Sequence, residues 1–265
     1  MRAQVALAVL AAGLLSCTGA FADYIEIRRT ATIYAEPSRT SDVIDTVGPT
    51  AENPLVILYL DEGQPRERGY LRVYVPSAGE YGFVYKTAGR VFRDHKGKYK
   101  PYERTAYRHW IDEDRNCLDT RQEVLLRDDS SGRAKVEKVG SRCVVVGGAW
   151  SDPYTGETIS SAKAIDVDHL VPLKNAHESG GWAWPAERKK AYANYLGNAY
   201  HLLAASASEN RRKGDKGPDE YLPPNERARC DYVRNFAGVK RAWGLRVTAS
   251  EMAAMQTVLE ACPGQ

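Results

Sequence analysis

The sequence predicts an α+β protein in two parts, a small all-β barrel followed by a mixed domain of strands and helices. Three observations predict it. Residues 23–93 divide into short runs of alternating apolar and polar side chains, punctuated by Gly, Pro, Ser and Asp, the pattern of half-buried strands joined by turns. Residues 94–98, Asp94-His95-Lys96-Gly97-Lys98, are polar, break the alternation and read as a linker. From residue 99 to the C-terminus, helical periodicity enters and is interleaved with further strand-like runs.

The first 22 residues stand apart from both domains. Arg2 supplies a positive charge, Val5 to Leu15 is apolar but too short to span a bilayer, and Ala20-Phe21-Ala22 places small residues around a bulky one. This is the form of a secretory signal peptide cleaved before Asp23, which sends the protein to the periplasm or the exterior. The alternative uses Leu14-Leu15-Ser16-Cys17 as a lipoprotein signal with Cys17 lipidated. Simple secretion is preferred, because Tyr24-Ile25-Glu26-Ile27 already reads as a strand and leaves no tether. No later segment is apolar enough to cross a membrane. Cleavage leaves four cysteines, Cys117, Cys143, Cys230 and Cys262. In an exported chain that number suggests two disulfides out of three pairings. The pairing Cys117–Cys143 with Cys230–Cys262 keeps each bridge local. The spacings contain no C-x-x-C, which argues against a zinc ribbon.

Within the barrel the expected strands are Tyr24 to Ile27, Thr32 to Tyr34, Val43-Ile44, Leu55 to Leu58, Tyr70 to Val75 and Tyr81 to Tyr85. In the second domain a helix is expected from Asp119 to Leu126, then strands at 135–139, 143–147 and 164–171. A helix follows over 185–196 and a short strand over 200–203. Ser206-Ala207-Ser208-Glu209 and Thr248-Ala249-Ser250-Glu251 each carry a capping-box signature and start the last two helices. On the second of these, Met252, Met255 and Leu259 are expected to face the core. Asp119, Arg121 and Glu123 read as a cap or ion network, with a substrate role for Arg121 open. The aromatic residues at 102, 107, 110, 182 and 184 are read as core, and His95, His109, His177 and His201 as structural.

One constellation carries chemistry. Asp166-Val167-Asp168-His169 ends an apolar strand, and an acid beside a histidine there is unusual for packing alone. Downstream stand Asn198 and Asn210-Arg211-Arg212-Lys213-Gly214-Asp215. Between them the chain has room for strand, connection, strand and helix. A divalent cation bound by hard oxygen ligands can offset charge on a phosphodiester and its departing oxygen. A histidine with its ordinary pKa near 6.5 can accept a proton from water at neutral pH. Asp168 and His169 would point to opposite faces of a regular strand, so a shared site requires a bend, for which Pro172 offers a cause. The run Arg211, Arg212, Lys213 suits phosphate contact as well as it suits a solvated helix face. The whole chain carries a formal charge of only +3, which permits an anionic partner without arguing for one. There is no G-x-S-x-G, Walker loop, G-x-G-x-x-G or H-E-x-x-H.

These residues resemble known families. D-V-D-H-L-V-P-L at 166–173 with N-R-R-K-G-D at 210–215 resembles HNH nuclease domains, including that of RNA-guided CRISPR nucleases. D-T-R-Q-E-V-L at 119–125, G-A-W-S-D-P-Y-T-G at 148–156, Y-L-P-P at 221–224, Cys230, Trp243-Gly244-Leu245 and Cys262 resemble a secreted bacterial HNH endonuclease family. The resemblance implies a ββα-metal fold with Asp168 and Asn210 as ligands of Mg²⁺ (Mn²⁺ or another divalent cation being alternatives). It implies His169 as general base, Asn198 positioning the base or its loop, and Asp166 behind the ligands. Arg211, Arg212 and Lys213 would hold substrate phosphates, with DNA the expected substrate and RNA a further candidate. The stretch Ala35-Glu36-Pro37-Ser38, Val43-Ile44, Gly69-Tyr70-Leu71-Arg72-Val73 and Gly82-Phe83-Val84 is similar to bacterial Src-homology-3-like domains, which implies a cell-wall ligand or a docking role. A cell-envelope-binding protein whose nuclease-like domain is inactive is the competing reading.

Overall fold

The computed structural model describes residues 23–50, 56–61, 67–92 and 100–262. The expected signal peptide at 1–22, Cys17 included, and the linker at 94–98 lie outside the described residues. The architecture is mixed α+β, with several small antiparallel sheets and six α-helices among the described residues.

Among the described residues seven strands occupy the first part: β1 (Tyr24–Ile27), β2 (Ala31–Tyr34), β3 (Val43–Val47), β4 (Val56–Tyr59), β5 (Tyr70–Val75), β6 (Glu80–Tyr85) and β7 (Gly89–Phe92). They form two sheets, ordered β4-β1-β7 and β3-β2-β6-β5. Alternation along the strands sends Ile25 and Ile27, Ile33, Leu71, Val73, Val75 and Val84 into one shared core. β7 runs so close to β1 that a Cβ at Gly89 would meet the Glu26 carbonyl oxygen at 1.9 Å.

The second part follows the order α1 (Thr120–Arg127), β8 (Lys135–Val139), β9 (Arg142–Gly147), β10 (Trp150–Ser151), β11 (Thr158–Ile159), β12 (Ile165–His169), α2 (Leu173–Glu178), α3 (Ala186–Ala193), β13 (Leu202–Ser206), α4 (Ala207–Lys213), α5 (Arg229–Trp243) and α6 (Ala249–Glu260). Its centre is the antiparallel pair β12–β13, in unbroken register from Ile165↔Ser206 to His169↔Leu202. One face of the pair is apolar: Ile165, Val167, Leu202 and Ala204 pack with Val124 and Leu125 of α1 and with Trp150. The other face carries Asp166 and Asp168 and is covered by α4, which leaves β13 at the Ser206 cap.

A larger core lies beside this layer and gathers Tyr107, Tyr154, Leu170, Tyr192, Phe236, Val239 and Met255. α5 and α6 are joined by the disulfide Cys230–Cys262 and by a buried ion pair, Lys240 Nζ to Glu251 Oε2 at 2.6 Å. The other disulfide, Cys117–Cys143, ties the loop before α1 to β9. Both bridges follow the local pairing expected from the sequence.

The two parts meet at Trp182. Its ring stands edge-on to Tyr24 at 5.4 Å, and its indole N–H donates to Tyr59 Oη at 3.2 Å. A cleft of about 260 Å³ opens beside this contact, between Val56, Leu58 and Pro76 on one side and Trp184, Arg188 and Trp243 on the other.

The structure departs from the sequence reading in several elements. α2 and α5 are helices that the sequence pattern does not predict. The strand expected at 200–203 sits instead at Leu202–Ser206, because Asn198 Oδ1 accepts the N–H groups of Tyr200 and His201 and folds that stretch into a turn. Leu259, expected on the buried face of α6, is 39% exposed. Val258 packs on the core in its place, since the buried stripe runs through Glu251, Met255 and Val258 at helical spacing.

Candidate active site

The regular register of β12 keeps Asp168 and His169 on opposite faces. The bend that a shared position would require lies beyond His169, after the strand has ended. Asp168 faces α4. Both of its carboxylate oxygens accept from Lys213 Nζ, at 3.0 and 2.8 Å, and Oδ2 also accepts from the Tyr154 hydroxyl. The third hydrogen of the Lys213 ammonium goes to the His169 carbonyl oxygen at 2.9 Å. Asn210 and Lys213 are three apart on α4, so both face the same strand. Lys213 takes Asp168, while Asn210 Nδ2 lies 3.4 Å from Asp166 Oδ2. Burial pushes the Asp168 carboxyl up and the Lys213 ammonium down, and each offsets the cost of the other's charge.

His169 faces the aromatic side. Its Nε2 lies 2.9 Å from the Ala193 carbonyl oxygen at the end of α3. A carbonyl only accepts, so Nε2 carries the proton and Nδ1 presents a lone pair. The ring is stacked on Trp110, with centroids 5.3 Å apart, and is nearly parallel to Tyr192 at 6.4 Å. Only 5% of the residue is exposed. Burial, reinforced by His201, holds its pKa well below the usual imidazole value, so it is neutral near pH 7. In His201 the Nδ1 atom is sealed without a hydrogen bond, a condition that His169 Nδ1 does not share.

The remaining expected residues divide clearly. Arg211 and Arg212 are exposed, with Arg211 4.0 Å from Asp166 and Arg212 3.4 Å from Glu209. Lys213 corrects the expectation of a phosphate contact: its side chain is 0% exposed and fully used by Asp168 and the His169 carbonyl. Asp166 corrects the expectation of a group behind the ligands, since it stands on the open side, with 37% of its side chain exposed. Asn198 does not touch His169. It shapes the turn whose His201 carbonyl accepts the N–H of Leu170, next to His169.

Sequence reasoning missed Tyr154 and Lys213 as partners of Asp168. Asp152 in the same segment as Tyr154 accepts the N–H of Ser206, and so pins the start of α4. Lys213 was legible in principle from its spacing to Asn210; Tyr154 gave no signal beyond its place in the quoted run. A further loop is ordered by its own side chains. Asp112, Asp114 and Asn116 accept the N–H groups of Asn116, Cys117 and Leu118.

The donor chemistry can be tested against a hard divalent cation. Asp166 and Asn210 offer oxygen ligands on the open side of α4, which suits Mg²⁺ with most of its waters retained. Asp168 corrects the expectation of a metal ligand, because Lys213 and Tyr154 take both of its oxygens and its side chain is 5% exposed. Among the described residues no group of three or more His, Cys, Asp or Glu is placed to hold an ion.

Residues 119–258, more than half of the chain and all of β12, β13 and α4, match the family described as GmrSD restriction endonucleases, C-terminal domain. The chain belongs to that family. Membership in the GmrSD C-terminal family points to a nuclease and hence to a nucleic-acid substrate. The chain is also similar to an uncharacterized secreted protein of Arthroderma benhamiae, 35% identical over 167 residues, which cover 63% of this chain and 78% of the relative. No solved structure matches the chain. The secreted relative and the two disulfides fit secretion, and among the described residues no helix is long and apolar enough to cross a membrane.

Proposed function

We propose that this GmrSD-family domain is a secreted, metal-dependent HNH endonuclease that hydrolyses phosphodiester bonds of DNA. The observation that carries the reading is the hydrogen bond from His169 Nε2 to the Ala193 carbonyl. It fixes the tautomer in which Nδ1 is a proton acceptor, and the buried ring is already neutral. In this reading Nδ1 takes the proton of an attacking water. Asn210 with Asp166, the acid on the open side, would hold the cation, which would supply charge stabilisation to the phosphate and the leaving oxygen. Arg211 and Arg212, exposed on α4, contact backbone phosphates. The family membership, the strand pair followed by α4, and the D-V-D-H run support the same reading. Residues 1–22 would direct export, and the N-terminal strands would form a Src-homology-3-like module for a cell-wall ligand.

The test is incubation of the mature protein with plasmid DNA and with RNA, in the presence of Mg²⁺ or Mn²⁺. Nicking should depend on the cation, stop in excess chelator and fall at least about a hundredfold in His169→Ala, the lower end of the range for loss of a general base. Full cutting by His169→Ala, or by wild type in chelator, would remove the mechanism. Binding to peptidoglycan without nicking under any cation would instead favour the inactive envelope-binding protein.

A further inference from the structure

Two residues at the C-terminal end of α3 contact His169, and the next one acts at a distance from it. Tyr192 lies parallel to one face of the imidazole. Ala193 holds the Nε2 edge through its carbonyl. Asn194 does not touch the ring. Its amide reaches the segment that carries Trp110: Nδ2 donates to the Arg108 carbonyl at 3.0 Å and Oδ1 accepts the Ile111 N–H at 3.2 Å. Its remaining capacity is also used, by the Lys190 carbonyl at 2.8 Å and the Thr120 hydroxyl at 3.0 Å. Between the two clamped backbone groups stands Trp110, stacked on His169 at 28°.

The clamped turn is costly to form. Arg108 has φ 44° and Trp110 has φ 60°, left-handed values that residues with side chains rarely adopt. Strain of this kind persists only where surrounding contacts over-determine it. Here the over-determination comes from Asn194, with Thr120 adding a second hold through its backbone N–H to the Ile111 carbonyl at 2.9 Å.

We propose that Asn194 and Trp110 are positioning residues for His169. Asn194 pins the 108–111 turn, the pinned turn lays the indole over the imidazole, and the ring is thereby held with Nδ1 aimed one way. The inference rests on the reading of His169 as the base, and it assigns both residues an action through His169 rather than on substrate.

The test joins kinetics to a spectroscopic measurement on the substrate-free full-length mature protein. Trp110→Ala and Asn194→Ala should lower kcat by about tenfold to a hundredfold, the usual range for loss of an orienting partner, with KM for an oligonucleotide within about twofold. Trp110→Phe, which keeps a stacking face, should recover most of the loss. In the NMR spectrum the imidazole ring protons of His169, shielded by the indole, should move downfield in Trp110→Ala and Asn194→Ala and stay near the wild-type position in Trp110→Phe. Should Trp110→Ala not fold, Asn194→Gln displaces the same amide by one carbon and gives the same readings. Wild-type kcat in both alanine variants, or imidazole resonances that do not move, would overturn the assignment. A wild type that cuts nothing would remove the nuclease reading alone, because the imidazole shifts still decide whether the clamp holds the ring.

Discussion

At Asp168 and Asp166 two acids of one strand have different fates, and the difference is testable. Lys213 and Asp168 are both sealed from water, so removing one charge strands the other. Asp168→Asn should therefore cost about 3–5 kcal/mol of stability, the range for breaking a buried pair, read as a lowered urea midpoint. Asp166 is partly exposed and makes only long contacts, to Asn210 and Arg211. Asp166→Asn should leave the urea midpoint within experimental scatter and lower nicking if this acid helps to hold the cation. Unchanged nicking in Asp166→Asn would exclude this acid as a holder of the cation. The adjacency of Asp168 and His169 was legible in the sequence, and so was the difficulty it raises on a regular strand. The destination of Lys213 is hidden in the sequence, because a basic run next to Asn210 looks like a phosphate grip until the three-residue helical spacing is applied to each member separately.

Among the elements, α5 and α6 depend on a similar buried pair. Lys240 Nζ donates to both oxygens of Glu251 and to Ser179 Oγ, while Glu251 Oε2 also accepts the Thr248 N–H in the capping box. Glu251→Gln keeps part of the cap but leaves the ammonium uncompensated, and should cost about 3–5 kcal/mol. The double change Lys240→Met with Glu251→Leu should be much milder than the single one, measured by thermal melts. Where elements were predicted from a local mechanism they were found: the Ser206 and Thr248 caps start α4 and α6, and Asp119 caps α1 by accepting the Gln122 N–H. α5 was missed although Tyr232, Val233, Phe236, Val239 and Lys240 fall on one face. Gly238 interrupts its propensity by about 1 kcal/mol relative to alanine, and a lysine in the buried stripe disguises the period. The strand at 202–206 was misplaced because the turn at Asn198 depends on a side-chain amide that no alternation pattern reveals.

For the molecule as a whole, pH should act through buried imidazoles. His201 is pushed down from 6.5 to about 4 by burial. Between these values the unfolded chain binds a proton that the folded chain refuses, so stability is intact above pH 6.5 and falls as pH drops through the window. The loss from this group amounts to roughly 3 kcal/mol by pH 4, and His169, shifted the same way, steepens it. Urea titrations at pH 7.5 and 4.5 should show the difference, with part of it removed in His201→Gln; an equal drop in that variant would exclude His201 as a cause. At this scale the division into a β-rich first part and a mixed second part was readable from the change of hydrophobic period. Their junction was not, since Trp182, Tyr24 and Tyr59 look like ordinary core residues one at a time.

The distribution of indole rings has a practical result for such measurements. The chain has five tryptophans, and all of them, at 110, 150, 182, 184 and 243, lie in the second part or at its border. The core shared by the seven N-terminal strands holds none. Emission excited at the red edge is therefore blind to melting inside that core and registers it only through quenching or release of Trp182 at the seam. An optical trace that lags behind a backbone signal such as circular dichroism would reveal a first part that comes apart ahead of the rest.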